Sequence, residues 1–359
     1  MIPIYKPYLP DHVTKYAHDA IDSTWISSSG DYLNKTTNKI KELFGYKYVL
    51  LTNNGTTACH LMSIGLKYKY PNIEEIIVPN NVYVAGWNAF KMNPVYKFTP
   101  IDSDINTWNC DYNSIDPKGE YTFLIIHNIN SIINVPLLKE KYPNSIILED
   151  NCEGFLGKYN GKYTGTESLI STVSFFGNKN ITSGEGGAVM FSDPDLFDYL
   201  NSVRCQGCTD KKFIFDKLGY NYRMTNVQAA LIYGQLLNLE EIIERKQNII
   251  DSYNKHLNHE KIVFQETDKN TDRSNWMCGV RFEGFEEIDL KKLELILFEN
   301  GIETRRMFPP INYHKHYEKE VSINDNSKII YDSSLILPSY PELNEYQISK
   351  ICDIIKKQL

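Results

Sequence analysis

Residues 172–192, TVSFFGNKNITSGEGGAVMFS, constrain the fold of this chain more than any other stretch. A β-branched and aromatic run from Thr172 to Phe176 breaks at Gly177, and Lys179 stands in the turn that follows. Glycines 184, 186 and 187 then lead into a second apolar run, Ala188 to Phe191. The pattern predicts strand, lysine-bearing loop, strand, with the glycines permitting tight backbone turns. A lysine between two buried strands reads in two ways. It is a surface loop residue, as most lysines are, or an amine in a pocket, desolvated into a Schiff-base nucleophile. Spacing alone leaves both open.

The rest of the chain surrounds this segment with short apolar runs that end in polar turns. A buried strand over Tyr48–Thr52 meets a turn at Asn53–Gly55, and a helical pattern begins at about Thr56. A helix N-terminus just after a strand is an anion site, because its free N–H groups and positive dipole end point the same way. Ile76–Val78 is a second short strand, closed by Pro79-Asn80-Asn81; Tyr83 and Trp87 share one face if a helix starts there. The run 121–136 reads as a strand and its following loop, with His127 inside it. The strand 145-SIILED-150 ends in two carboxylates, and acids at the carboxyl end of an α/β strand sit where ligands bind. Asn160-Gly161 marks a hairpin turn. Thr225 and Gln228 have capping-box spacing, which predicts a long helix from Asn226 towards residue 256. Beyond it, strands are expected at 276–282 and 334–337, with helices at 288–299 and, capped by Asn344, at 345–357.

A chain of 359 residues predicts about two domains. With 42% hydrophobic residues it has ample material for a core, and its net charge of −7 argues against a general nucleic-acid binder. No apolar run approaches a membrane span, and the N-terminus MIPIYKPYLPDHV has no basic segment followed by an apolar one, so neither a membrane protein nor a signal peptide is expected. Seven scattered cysteines, an odd number, do not form a disulfide framework, and the Cys205/Cys208 pair has no second pair at zinc-site spacing. No metal is expected.

Ser174-Phe175-Phe176-Gly177-Asn178-Lys179, followed by Thr182-Ser183-Gly184-Glu185-Gly186-Gly187, resembles the cofactor-lysine signature of the DegT/DnrJ/StrS family. The resemblance extends over nearly the whole chain and is strongest at 145–192 and 216–236. It implies an α/β, aspartate-aminotransferase-like fold (PLP fold type I): a large domain, 1–240, around a mostly parallel seven-stranded sheet, and a smaller α+β domain, 241–359. It further implies a pyridoxal 5'-phosphate (PLP) aminotransferase that cycles through pyridoxamine phosphate, taking its amino group from L-glutamate and delivering it to a nucleotide-linked keto sugar. Lys179 would hold the cofactor and Asp150 would face the pyridine nitrogen. Tyr83 would stack on the ring, and Glu153 would lie near the ring hydroxyl or the sugar. Gly55, Thr56 and Ser174 would grip the phosphate, together with Asn221 of the neighbouring subunit in a homodimer. Trp87, Arg305 and His314 are the candidate sugar-nucleotide residues, and His127 a packed histidine beside the cofactor. Related 3-dehydratases carry a histidine in place of the lysine, so Lys179 favours transamination. The local motifs are most similar to those of members making 4-amino-4,6-dideoxy sugars, viosamine or perosamine, which implies such a product, with UDP- or dTDP-linked substrates placed ahead of GDP-linked ones. Two glycosylation-like triplets, at Asn54 and Asn180, lie inside these motifs, where a glycan would block the pocket; a cytoplasmic protein is the consistent expectation.

Overall fold

In the computed structural model, which describes residues 1–93, 96–317 and 325–359, seven strands form one sheet. They are β1 Tyr48–Thr52, β2 Glu75–Pro79, β3 Lys97–Ile101, β4 Thr122–Ile126, β5 Ile146–Asp150, β6 Ile170–Ser174 and β7 Gly187–Phe191. Their order across the sheet is β1-β7-β6-β5-β4-β2-β3. All pairs are parallel except those of β7, which is antiparallel to both β1 and β6. Every residue of β4, β6 and β7 is buried, which is why β4 and β7 read as apolar runs rather than alternating ones, while β6 buries Ser171, Thr172 and Ser174 as well. One face packs on the helix Gly55–Lys69 with Trp87 and Phe90, the other on the helices Asp31–Phe44 and Asn226–Leu236. Because β7 alone runs backwards, the ends of β1, β4, β5 and β6 and the start of β7 meet on one rim. That rim is the place for a ligand.

A second, antiparallel sheet is formed by β8 Ile262–Phe264, β9 Cys278–Phe282, β10 Arg305–Arg306 and β11 Ser334–Leu337 in the order β8-β9-β11-β10. It shares a core with the helices Glu287–Glu299 and Glu345–Lys356 and with the later turns of the helix Leu239–His256. Asn344 caps the Glu345 helix through a capping box with Gln347.

The expected long helix from Asn226 is two helices, Asn226–Leu236 and Leu239–His256. The capping box of Thr225 and Gln228 starts the first one, and Asn238 ends it by donating its side-chain N–H to the Gly234 carbonyl at 2.8 Å. The second helix spans the two cores: Leu239 and Ile242 belong to the first, Ile249 and Tyr253 to the second. Tyr83 and Trp87 do not share a helical face. The helix is Ala85–Lys91, so Tyr83 precedes it and is 58% exposed while Trp87 is fully buried. The Asn160-Gly161 turn has both residues at positive φ, 51° and 76°, as a two-residue hairpin requires.

Candidate active site

The rim of the first sheet opens into a cavity of about 300 Å³, lined among others by Gly55, Thr56, Tyr83, Asp150, Glu153, Ser174, Lys179 and Arg305. These are eight of the residues singled out from the sequence. Clefts of similar size elsewhere, about 400 and 430 Å³, contain none of them. Chemistry, not size, selects the site.

Each wall has a local cause. At the end of β1, Asn54 accepts the Thr57 N–H at 2.9 Å and so starts the helix Gly55–Lys69, whose first-turn N–H groups face the rim. Gly55 is required by close approach: a Cβ there would stand 2.7 Å from the Ser174 Cβ. Glycine therefore lets the helix start and the end of β6 close on one another. At the end of β5, Asp150 Oδ1 accepts the Cys152 N–H at 3.0 Å and Oδ2 accepts the Cys59 thiol at 3.5 Å. Its neighbour Glu149 points to the opposite side of the strand. There it accepts from the Gly165 N–H at 2.7 Å and pairs with His127 Nε2 at 2.8 Å, while His127 Nδ1 accepts the Ile133 N–H. His127 is thus tied into packing behind the strand, away from the cavity.

Glu153 is buried, and burial pushes its carboxyl up to about 7, offset in part by the Lys179 charge and by the Ile129 N–H donating to it at 2.8 Å. Cys59, Asp150 and Cys152 bring their donor atoms within 4.8 Å of one another, a clustering that the scattered cysteine positions gave no reason to expect. The Cys152 thiol is raised well above the usual thiol range by the Cys59 thiol against it and then by burial. All seven cysteines are unpaired.

The lysine loop follows β6. Lys179 Nζ lies 3.5 Å from the centroid of the Trp276 ring, whose Nε1–H donates to the Asn178 carbonyl at 2.7 Å. Trp276 lines the cavity and the sequence reading missed it, since a tryptophan opening a strand carries no spacing signal. Phe308, which sits 5.7 Å from Tyr83 ring to ring, was missed for the same reason.

These residues fit PLP. The cavity offers an amine, a carboxylate held in place by two donors, an exposed aromatic ring and, at the far wall, helix N–H groups beside Ser174 for an anion. A match to the family described as DegT/DnrJ/EryC1/StrS aminotransferases spans residues 8–356. The GDP-perosamine synthase of Escherichia coli O157:H7 is 35% identical over 99% of this chain and 98% of its own, and that of Vibrio cholerae 31% identical over the same shares. The chain belongs to the DegT/DnrJ/EryC1/StrS aminotransferase family. Among solved structures, the E. coli GDP-4-keto-6-deoxy-D-mannose-3-dehydratase with bound hydrated PLP superposes with a TM-score of 0.90 at 22% identity, covering 99% of both chains. A putative sugar aminotransferase from Streptococcus pneumoniae in its PMP form gives 0.88 at 18%, over 100% of this chain and 99% of that one. The fold is therefore that of the PLP fold type I enzymes, as expected.

Three expected site residues of this DegT-family chain lie off the cavity. Trp87 is fully buried with its Nε1–H on the Pro79 carbonyl at 3.1 Å, so it is a core residue and not a sugar contact. His314 packs edge-on against Trp87, ring centroids 5.7 Å apart, and burial followed by the nearby His316 lowers its pKa; it too stands behind the wall. Asn221 is exposed, and its Oδ1 accepts from Arg223 of the same chain.

Proposed function

We propose that the chain is a PLP-dependent aminotransferase that moves an amino group from L-glutamate to the 4-keto carbon of a GDP-linked 4-keto-6-deoxyhexose, as a perosamine synthase does. The observation that carries this reading is the Lys179 amine and the Asp150 carboxylate sharing one cavity with the Gly55–Thr56 helix start. The expectation that UDP- or dTDP-linked sugars come first is replaced, because the GDP-perosamine synthases at 35% and 31% identity favour the GDP-linked class.

Bound PLP supplies an electron sink that lets a C–H bond beside nitrogen ionise. The protein does the rest. Lys179 Nζ would take the proton from the donor carbon as base and give it up again as acid. Asp150, oriented by the Cys152 N–H and the Cys59 thiol, would keep a proton on the ring nitrogen. Tyr83 would cover the ring, and Glu153 would meet the ring hydroxyl or the sugar. Gly55, Thr56 and Ser174 hold the phosphate, and Arg305 offers a planar fork of donors to the diphosphate of the sugar nucleotide. Residues 1–240 would carry the cofactor and 241–359 the cover over the substrate.

The chain would work as a homodimer, with Asn221 reaching the phosphate site of the second copy. Support comes from its exposed position off the cavity and from the apolar residues left exposed nearby, Phe213, Ile214, Phe215 and Leu218. A cytoplasmic setting accompanies this reading, since a glycan on Asn54 would close the cavity that Asn54 lines. No helix among the described residues is long and apolar enough to cross a membrane.

The test is the visible spectrum of the PLP-loaded protein. The band of lysine-bound PLP should bleach with L-glutamate and return with GDP-4-keto-6-deoxymannose, and should be missing in Lys179→Ala. Recovery with a UDP- or dTDP-linked sugar in place of the GDP-linked one would overturn the nucleotide; no band in the parent would overturn the lysine.

A further inference from the structure

Lys179 sits in a loop between two strands of the first sheet, yet what holds that loop comes from elsewhere in the chain. Trp276 Nε1–H donates to the Asn178 carbonyl at 2.7 Å, Asn180 Nδ2 donates to the Ser274 carbonyl at 2.7 Å, and the Tyr5 hydroxyl donates to the Lys179 carbonyl at 2.8 Å. Trp276 is itself anchored. Its carbonyl accepts from the buried Lys246 ammonium at 2.7 Å, and Lys246 also binds the Ser339 carbonyl. Among the described residues Lys179 makes no ion pair; the partner of its Nζ is the indole face, 3.5 Å from the ring centroid.

We propose that Trp276 is a positioning residue for Lys179, its indole face holding the Nζ charge, with the Nε1–H only a secondary tie on the loop that carries the lysine. The proposal rests on the reading of Lys179 as the cofactor lysine. A base that takes a proton gains a positive charge, and here that charge appears on an aromatic face already in contact with the amine. Cation–π attraction then holds the ammonium on that face as it forms, and so keeps Nζ where the proton is taken. The indole and its anchors reach the lysine from the side of the second sheet, so the geometry of the proton-transferring amine depends on how that part of the chain packs.

Two variants separate the roles of the ring. Trp276→Phe keeps an aromatic face and loses the N–H; Trp276→Gln keeps a donor for the Asn178 carbonyl and loses the face. In cofactor-free protein, acetic anhydride labelling of Lys179, followed by peptide mass, reads how firmly Nζ is held. Trp276→Gln should label about 3- to 30-fold faster than the parent and Trp276→Phe close to the parent rate, the range set by a cation–π contact. In the PLP-loaded protein, kcat of the glutamate half-reaction should fall by a similar factor in Trp276→Gln with KM unchanged, and Trp276→Phe should recover most of it. Equal labelling and equal kcat in all three proteins would overturn the proposal, as would a Trp276→Phe as impaired as Trp276→Gln. Trp276→Met replaces Trp276→Gln if the latter does not fold. Failure to bind PLP would sink the cofactor reading instead, and the labelling of the cofactor-free protein would still report on Trp276.

Discussion

The two sides of the cavity are built differently. On the cofactor side, Asp150 and Ser174 end buried strands and Gly55 opens a capped helix; all three are buried. On the opposite side, Tyr83 is exposed ahead of its helix, the Arg305 side chain is half exposed, and Phe308 comes from the loop after β10. One side is fixed by a sheet and its caps, the other by loops over it. Cofactor chemistry needs atoms held at the ends of rigid elements, whereas a substrate wall can be remodelled loop by loop on the same scaffold.

The sharpest way to test that division is to strike both sides and compare half-reactions. Asp150→Asn should lose about 10²- to 10⁴-fold in kcat of both half-reactions, the usual worth of a proton-holding group at a reacting centre. Its neighbour supplies the control: Glu149→Gln alters only buried contacts behind the strand, with His127 and the Gly165 N–H, so it should lower the thermal midpoint and leave kcat of the folded enzyme nearly unchanged. Stopped-flow spectra and a melting curve decide between these outcomes. Arg305→Ala comes next. It should raise KM for the sugar nucleotide about 10- to 100-fold, the worth of a charged hydrogen bond, and leave the glutamate half-reaction as it is. A matching loss with glutamate would break the comparison, because the substrate wall would then be acting on the amine as well.

The smallest expected effect is a pH dependence of stability. Burial pushes the Lys246 ammonium down to about 7. Below pH 7 both folded and unfolded chains hold the proton and the full cost of burying the charge is present. Between about 7 and 10.5 the unfolded chain keeps a proton that the folded one has released, so stability rises with pH by up to about 1.4 kcal/mol per unit. Urea titrations at pH 7 and pH 9 should show that rise in the parent and lose it in Lys246→Met.

The cofactor side was legible in the sequence because its chemistry is written in contiguous stretches. A lysine loop between apolar runs, an acid pair at a strand end and a Gly-Thr helix start are each contiguous motifs, and the family resemblance, not their spacing, assigned their roles. The other side was not. Trp87 and His314 looked like substrate contacts, but a large ring next to a strand end fills the core first, as Trp87 does, and the partly buried His314 packs edge-on against it. Trp276 acts on Lys179 from nearly a hundred positions downstream, and no local pattern announces a contact of that span. The single long helix failed on one residue, Asn238, whose side chain competes for a helical carbonyl.

The backward strand β7 has a kinetic consequence. Among the described strands, edge strand β1 pairs with β7 alone, so Tyr48–Thr52 has no neighbouring strand in the sheet until Gly187–Phe191 has been synthesised and threaded between β1 and β6. Pairings this distant in sequence close slowly, and an apolar strand waiting for its partner is open to aggregation meanwhile. The same insertion brings the Gly55 helix start against Ser174 and the Lys179 loop to the rim. Cofactor uptake during refolding would therefore time the closing of the sheet, and the yellow colour of captured PLP would appear only once the last strand is in place.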